Sequence, residues 1–182
     1  MKHALVIGGT GMLSNVCLWL LENNYKVSVI GRNSNKMEKL IQNSIHSSRI
    51  IPILVDYEDD KELGTEIKRV IEEHGSFDLI VAWIHSPAKN ALPTICEIVG
   101  QTSVKWQLYH ILGSSQNLKE LKKNISLDDN CTYHQIQLGF ILESSYSRWL
   151  SNNEISEGVI EAISQEKERH IVGQIEPWDK RP

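Results

Sequence analysis

The feature that most constrains this chain is its start. A strand-length apolar run, His3–Gly8, enters Gly8-Gly9-Thr10-Gly11-Met12-Leu13-Ser14, and a helical pattern follows at once, with Leu13, Val16, Cys17, Leu20 and Leu21 on one face. Glycines punctuate loops of every kind. Glycines at the first strand-to-helix turn of an alternating chain have a more specific use: without Cβ atoms the turn brings its N–H groups and the helix N-terminus close to a bound phosphate. In the spacing GxxGxxG, Gly8 and Gly11 fill the first two places. Ser14 fills the third, where a small residue lets helix and strand pack closely.

The rest of the 182 residues repeats the alternation. Strands are predicted at Lys26–Gly31, Ile50–Val55, Phe77–Ile84, Trp106–Leu112, Tyr133–Ile141 and His170–Gln174, making seven with the first. Runs such as Ile50-Ile51-Pro52-Ile53-Leu54-Val55 suit strands buried on both faces. The segments between carry helical faces, among them Leu63, Ile67, Val70 and Ile71, then Ile155, Val159, Ala162 and Ile163. Ser86-Pro87 reads as a helix N-cap followed by proline at the first helical position, and Gly75, Gly100 and Gly113 as cap or turn glycines. The expected fold is α/β: one Rossmann-type domain over residues 1–182, a doubly wound parallel sheet of about seven strands with helices on both faces.

Composition narrows the partners. With 41% hydrophobic and 23% charged residues and a net charge of −4, nothing points to a nucleic-acid surface, and Lys119, Lys122 and Lys123 read as a solvated helix face. The first apolar stretch is too short for a leader or a membrane span, so a cytoplasmic protein is expected. Cys17, Cys96 and Cys131 are odd in number and contain no CxxC pair, which argues against a disulfide framework and against a metal site.

The second strand ends in Gly31-Arg32-Asn33-Ser34. A dinucleotide site built for NAD places Asp or Glu there to bond the ribose hydroxyls, and an acid would repel the 2′-phosphate of NADP. A guanidinium holds that phosphate through charge-assisted bonds, so NADP(H) is the expected cofactor. The bland alternative is a solvent-facing turn capped by Ser34. Asp56, leaving the third strand, either bonds the adenine amino group or opens the acidic helix that follows. The expected cofactor-binding residues are Gly8, Thr10, Gly11, Met12, Arg32, Asn33, Ser34, Asp56 and Ile84.

With ALVIGGTGML, VIGRN and LVDYEDDKEL as its motifs, the chain resembles the short-chain dehydrogenase/reductase superfamily from Met1 to about Leu79. The resemblance implies NADP(H) binding on a seven-stranded doubly wound sheet. It also implies a catalytic Ser after the fifth strand and a Tyr-xxx-Lys pair on the next helix. Ser114 and Ser115 stand where that Ser is sought. Tyr109, Tyr133 and Tyr146, however, are followed four residues on by Gly113, Gln137 and Leu150, and the helix after Ser115 has room only to about Asn124. The family's Asn-Asn-Ala-Gly is replaced by Ala82-Trp83-Ile84-His85.

Two functions are therefore weighed. One is a reductase of a small molecule with a nonstandard active site, in which His85 and Ser114, at the fourth and fifth strand ends, are the catalytic candidates and Lys89 lies one helical turn beyond His85. Conjugated, flavin-like acceptors are one substrate class that needs little acid help. The other is a noncatalytic NADP(H) sensor or interaction protein. A substrate seated beside the nicotinamide would separate them.

Overall fold

In β1 (Lys2–Ile7) every residue after Lys2 is buried, because both of its faces are covered. Ala4 and Val6 point into one apolar layer with Val16, Cys17, Leu20 and Leu21 of α1 (Ser14–Glu22). Leu5 and Ile7 point into the other, toward α3 (Asp60–His74) and α4 (Ala91–Thr102). The two-residue period of the strand thus divides the core into two layers on either side of one sheet.

The computed structural model describes residues 1–144 and 146–182, with the side chains of Lys123 and Asn124 also outside the description. Seven parallel strands run in the order β3-β2-β1-β4-β5-β6-β9, with β2 at Tyr25–Ile30, β3 at Ile50–Ile53, β4 at Leu79–Ala82, β5 at Trp106–Leu112, β6 at Cys131–Leu138 and β9 at Arg169–Val172. The order reverses between β1 and β4, which opens a crevice at the carboxyl ends of those strands. Helix α2 (Ser34–Gln42) and α6 (Asn152–Ser164) share the layer of α1. Pro52 lies in the edge strand β3, where a missing N–H costs least. Lys119 and Lys122 are exposed, and Lys122 pairs with Glu168 at 2.9 Å, as a solvated face would; Lys123 lies outside the described side chains.

Three expectations are corrected. The sixth strand does not run through to Ile141: it stops at Leu138, and Phe140–Leu142 (β7) turns away to pair antiparallel with Ser147–Trp149 (β8). The break falls at Gly139, whose missing Cβ leaves room for the backbone of Gln174; Phe140 and Gln174 exchange two backbone hydrogen bonds of 2.9 Å. Ser86-Pro87 does not begin a helix, since the chain makes tight turns through Lys89 before α4 starts at Ala91. Lys89 is therefore not one helical turn beyond His85. Gly100 lies inside α4 and ends nothing, while Gly75, at φ +84°, does close α3. α5 (Leu118–Asn124) has only seven residues, as the sequence led one to expect.

Buried imidazoles tie the layers together. The Gly75 carbonyl accepts from Nδ1 of His3 at 2.8 Å, and in the neutral ring Nε2 accepts from the Ser28 hydroxyl at 2.8 Å. Burial pushes His3 down to about 4, against the Gly75 bond and helped by nearby Lys26. Burial likewise takes His110 down to about 4, its Nδ1 facing the Tyr133 hydroxyl at 2.9 Å. Both folded pKa values lie below the unfolded one, so the unfolded chain binds more protons between these limits. Stability should be full above pH ~6.5 and fall toward pH ~4, by up to about 1.4 kcal/mol per pH unit for each ring. Thermal midpoints across that range check the slope, and a His3 ring that titrates above pH 6 by NMR would contradict it.

Candidate functional site

The turn from β1 to α1 is open at the top and closed underneath. Gly8, at φ +93°, has a conformation that side chains rarely adopt. Its carbonyl accepts from the N–H groups of Gly11 and Leu13 at 3.2 and 3.3 Å, folding the loop onto itself. A Cβ on Gly11 would meet nothing nearer than 4.0 Å, and that space lies at the start of α1. The first turn of α1 contains no acidic residue, and Leu13 at its N-cap gives no side-chain bond. The helix therefore presents free N–H groups and a positive dipole end to the crevice. The residues that sequence set here, Gly8, Thr10, Gly11 and Met12, fit a pyrophosphate.

Sequence reasoning gave the close-packing role to Ser14, but the structure gives it to Gly9. A Cβ there would lie 2.6 Å from Sγ of Cys17 and 2.8 Å from Cγ1 of Val29, so α1 sits on β1 and β2 only because that atom is absent. Gly31 is similarly crowded: its Cβ would meet the Thr10 side chain at 3.0 Å. The pattern of glycines in the first turn was the available signal for Gly9. Contact between Thr10 and Gly31 joins two strand ends and has no local signal.

At the end of β2, Arg32 is exposed and pairs with Asp56 at 3.1 Å. Asp56 also accepts from the N–H of Glu58, and these two bonds hold its carboxyl below the usual carboxylate range. Asp59, rather than Asp56, caps α3 by accepting from Glu62 N–H at 2.9 Å. Of the two roles open to Asp56, opening that helix is therefore taken by another residue. The α2 cap is also not Ser34: Asn33 accepts from the N–H of Lys36 at 3.0 Å, and Ser34 is the first helical residue.

Beyond the turn lies a cavity of about 240 Å³ lined mainly by Met12, Trp83, Ser114, Leu138, Trp149 and Leu150. Ser114 thus stands at the cavity, whereas His85 is exposed and meets the Trp83 ring edge-on at 5.7 Å without lining it. Ile84 packs with the α3 and α4 layer, and it is Trp83 that lies against Gly8. The fourth strand ends at Ala82, two residues earlier than expected, and in the segment beyond it the indole, not Ile84, meets the turn.

The tyrosines stand apart from this cavity. Tyr109 is buried and stacked on His134 at 4.2 Å, and burial raises its phenol well above the usual range. Tyr133 bonds His110 and is pushed up to about 12, mainly by burial. Tyr146 is exposed. Gln137 donates to the carbonyls of Ser114 and Gln116 at 3.1 and 3.2 Å, which fixes the loop carrying Ser114.

One holder of the turn was invisible in the sequence. Ser156 of α6 is buried, and its hydroxyl donates to the Met12 carbonyl at 2.9 Å across 144 residues.

An open glycine turn at the switch point of seven parallel strands defines a Rossmann-type α/β protein. Residues 2–83 match the sequence model of the short chain dehydrogenase family. It is similar in fold to YwfH, an NADPH dependent reductase involved in bacilysin biosynthesis, with a TM-score of 0.75 at 16% identity over 95% of this chain and 99% of that one. The betaketoacyl-ACP reductase FabG from Bacteroides thetaiotaomicron gives 0.70 at 13% identity, covering 96% and 97%. A short-chain dehydrogenase from Streptomyces avermitilis gives 0.72 at 11% identity, covering 96% and 89%. None of the curated proteins matches the sequence. No helix among the described residues is long and apolar enough to cross a membrane.

Replacing Ser156 by Ala removes the one side-chain donor to the Met12 carbonyl. We expect a loss of about 1–2 kcal/mol in unfolding free energy, together with weaker nucleotide binding, both readable in one denaturant titration with and without nucleotide.

Proposed function

We propose that this protein is an NADP(H)-dependent reductase of a small molecule. The observation that carries the reading is the exposed guanidinium of Arg32 at the second strand end, beside an open glycine turn whose helix start is free of acids. In this reading the amides near Thr10 and Met12 hold the pyrophosphate, and Gly8 and Gly11 let it approach. Arg32, with Asn33 and Ser34 beside it, takes the 2′-phosphate. Asp56, already facing Arg32, is the acceptor for the adenine amino group. The family match to an oxidoreductase family and the NADPH dependence of YwfH support it.

When bound, the dihydronicotinamide supplies a hydride. The chain's own work is to seat that ring beside the apolar cavity, exclude water with Leu138, Trp149 and Leu150, and offer the Ser114 hydroxyl to a substrate oxygen.

NADPH should bind more tightly than NADH, and Arg32→Ala should lower NADPH affinity about tenfold or more while leaving NADH nearly unchanged. Equal affinities of the two cofactors in the wild type, measured by calorimetry, would reject the 2′-phosphate role. Gly11→Asp should abolish binding of both, since it puts bulk and negative charge into the open space of the turn. A folded Gly11→Asp protein with unchanged affinity would overturn the site itself. Binding of NADPH without turnover of any acceptor would instead favour the sensor reading.

A further inference from the structure

The walls of the cavity beside the turn say more about its substrate than about its cofactor. Trp83 and Trp149 both line it, together with Met12, Leu138 and Leu150. Trp149 is 50% exposed, so its indole both lines the cavity and meets solvent at its mouth. It is held in place from behind: the neighbouring Arg148 makes a two-pronged pair with Glu154 of α6, at 2.9 and 3.0 Å. Glu154 is in turn fixed by the reciprocal cap with Ser151. A half-exposed tryptophan on a short β-ribbon is thereby kept in a defined position.

Ser114 carries the one side-chain hydroxyl among the described lining residues, and none of these residues is charged. Reduction of an isolated ketone concentrates negative charge on one oxygen, and a donor of matched pKa is needed to protonate it. Tyr109 and Tyr133 are engaged inside the sheet, the first stacked on His134 and the second bonded to His110. A conjugated acceptor makes a smaller demand, because hydride addition leaves a charge spread over the ring system. One hydrogen bond from a serine then suffices. Flat aromatic walls favour a flat ligand, and an uncharged lining disfavours one with a phosphate or carboxylate tail.

We propose that the cavity takes an uncharged, planar quinone, stacked against Trp149 and hydrogen-bonded at one carbonyl oxygen by Ser114. The proposal rests on the cofactor reading above. In the overall change the quinone gains a hydride, which is two electrons and one proton, and a second proton from water, becoming the hydroquinone. The dihydronicotinamide is oxidised to nicotinamide by the same two electrons.

The probe is 2-methyl-1,4-naphthoquinone. It should quench tryptophan emission saturably in the full-length protein without nucleotide, and Trp149→Ala should weaken that binding about tenfold, while Trp149→Phe keeps most of it. With NADPH present, its kcat/KM should exceed those of acetophenone and cyclohexanone by about tenfold or more, with Trp149→Ala acting chiefly on KM. Reduction of either ketone at an equal or higher rate would overturn the proposal. So would naphthoquinone binding that is indifferent to Trp149→Ala. NADPH affinity, measured separately on the same samples, keeps the two readings apart. Tight NADPH with no naphthoquinone binding sinks only the quinone, whereas naphthoquinone binding without NADPH affinity sinks the cofactor reading.

Discussion

The architecture depends on the contact between α1 and the first two strands at Gly9. Val6, Val29 and Cys17 converge on the point where a Cβ would sit, and their packing there sets how closely α1 lies on the sheet. That distance fixes where the helix N-terminus opens. Gly8 makes the approach possible by turning the chain at positive φ, and Gly11 leaves the space above empty. Three adjacent glycine requirements are thus distinct: one is conformational, one is packing, and one is room for a ligand.

The turn is not held by its own residues alone. The Ser156 hydroxyl reaches it from α6, and Asn153 of the same helix bonds Asn15 at 3.0 Å. The helix that completes the fold therefore braces the element that begins it. α6 also anchors the β7–β8 ribbon through Glu154 and Arg148. One helix positions both the glycine turn and the ribbon beside the apolar cavity, so disturbing its first turn would reach both.

What the sequence revealed follows the range of the interactions. The seven strands, the layered helices and the glycine turn were legible because their periods and turn residues are local. Arg32 was legible because it lies a fixed distance beyond the glycines, at a strand end. The break at Gly139 was not, since the backbone that crowds it belongs to Gln174. An unbroken apolar run through Phe140 and Ile141 looks the same whether it continues a strand or starts a ribbon. Trp83 was passed over for Ile84 because the two neighbours pack against opposite layers and nothing local says which of them meets Gly8. Ser156 gave no signal at all, being separated from its partner by most of the chain.

The family's sequence match ends at residue 83, and the position has a physical meaning. Up to that point the chain builds the glycine turn, the Arg32–Asp56 pair and the first four strands of the sheet. Trp83 sits at the boundary, with its Cβ side against Gly8 and its ring in the cavity wall. Beyond it the residues supply most of the cavity lining. Here they form a seven-residue helix bonded by Gln135, a loop before it held by Gln137, the stacked Tyr109 and bonded Tyr133, and a tryptophan-bearing ribbon. A fold can keep its first half nearly fixed while its second half changes chemistry, because the strand order already separates the two tasks at the crevice between β1 and β4.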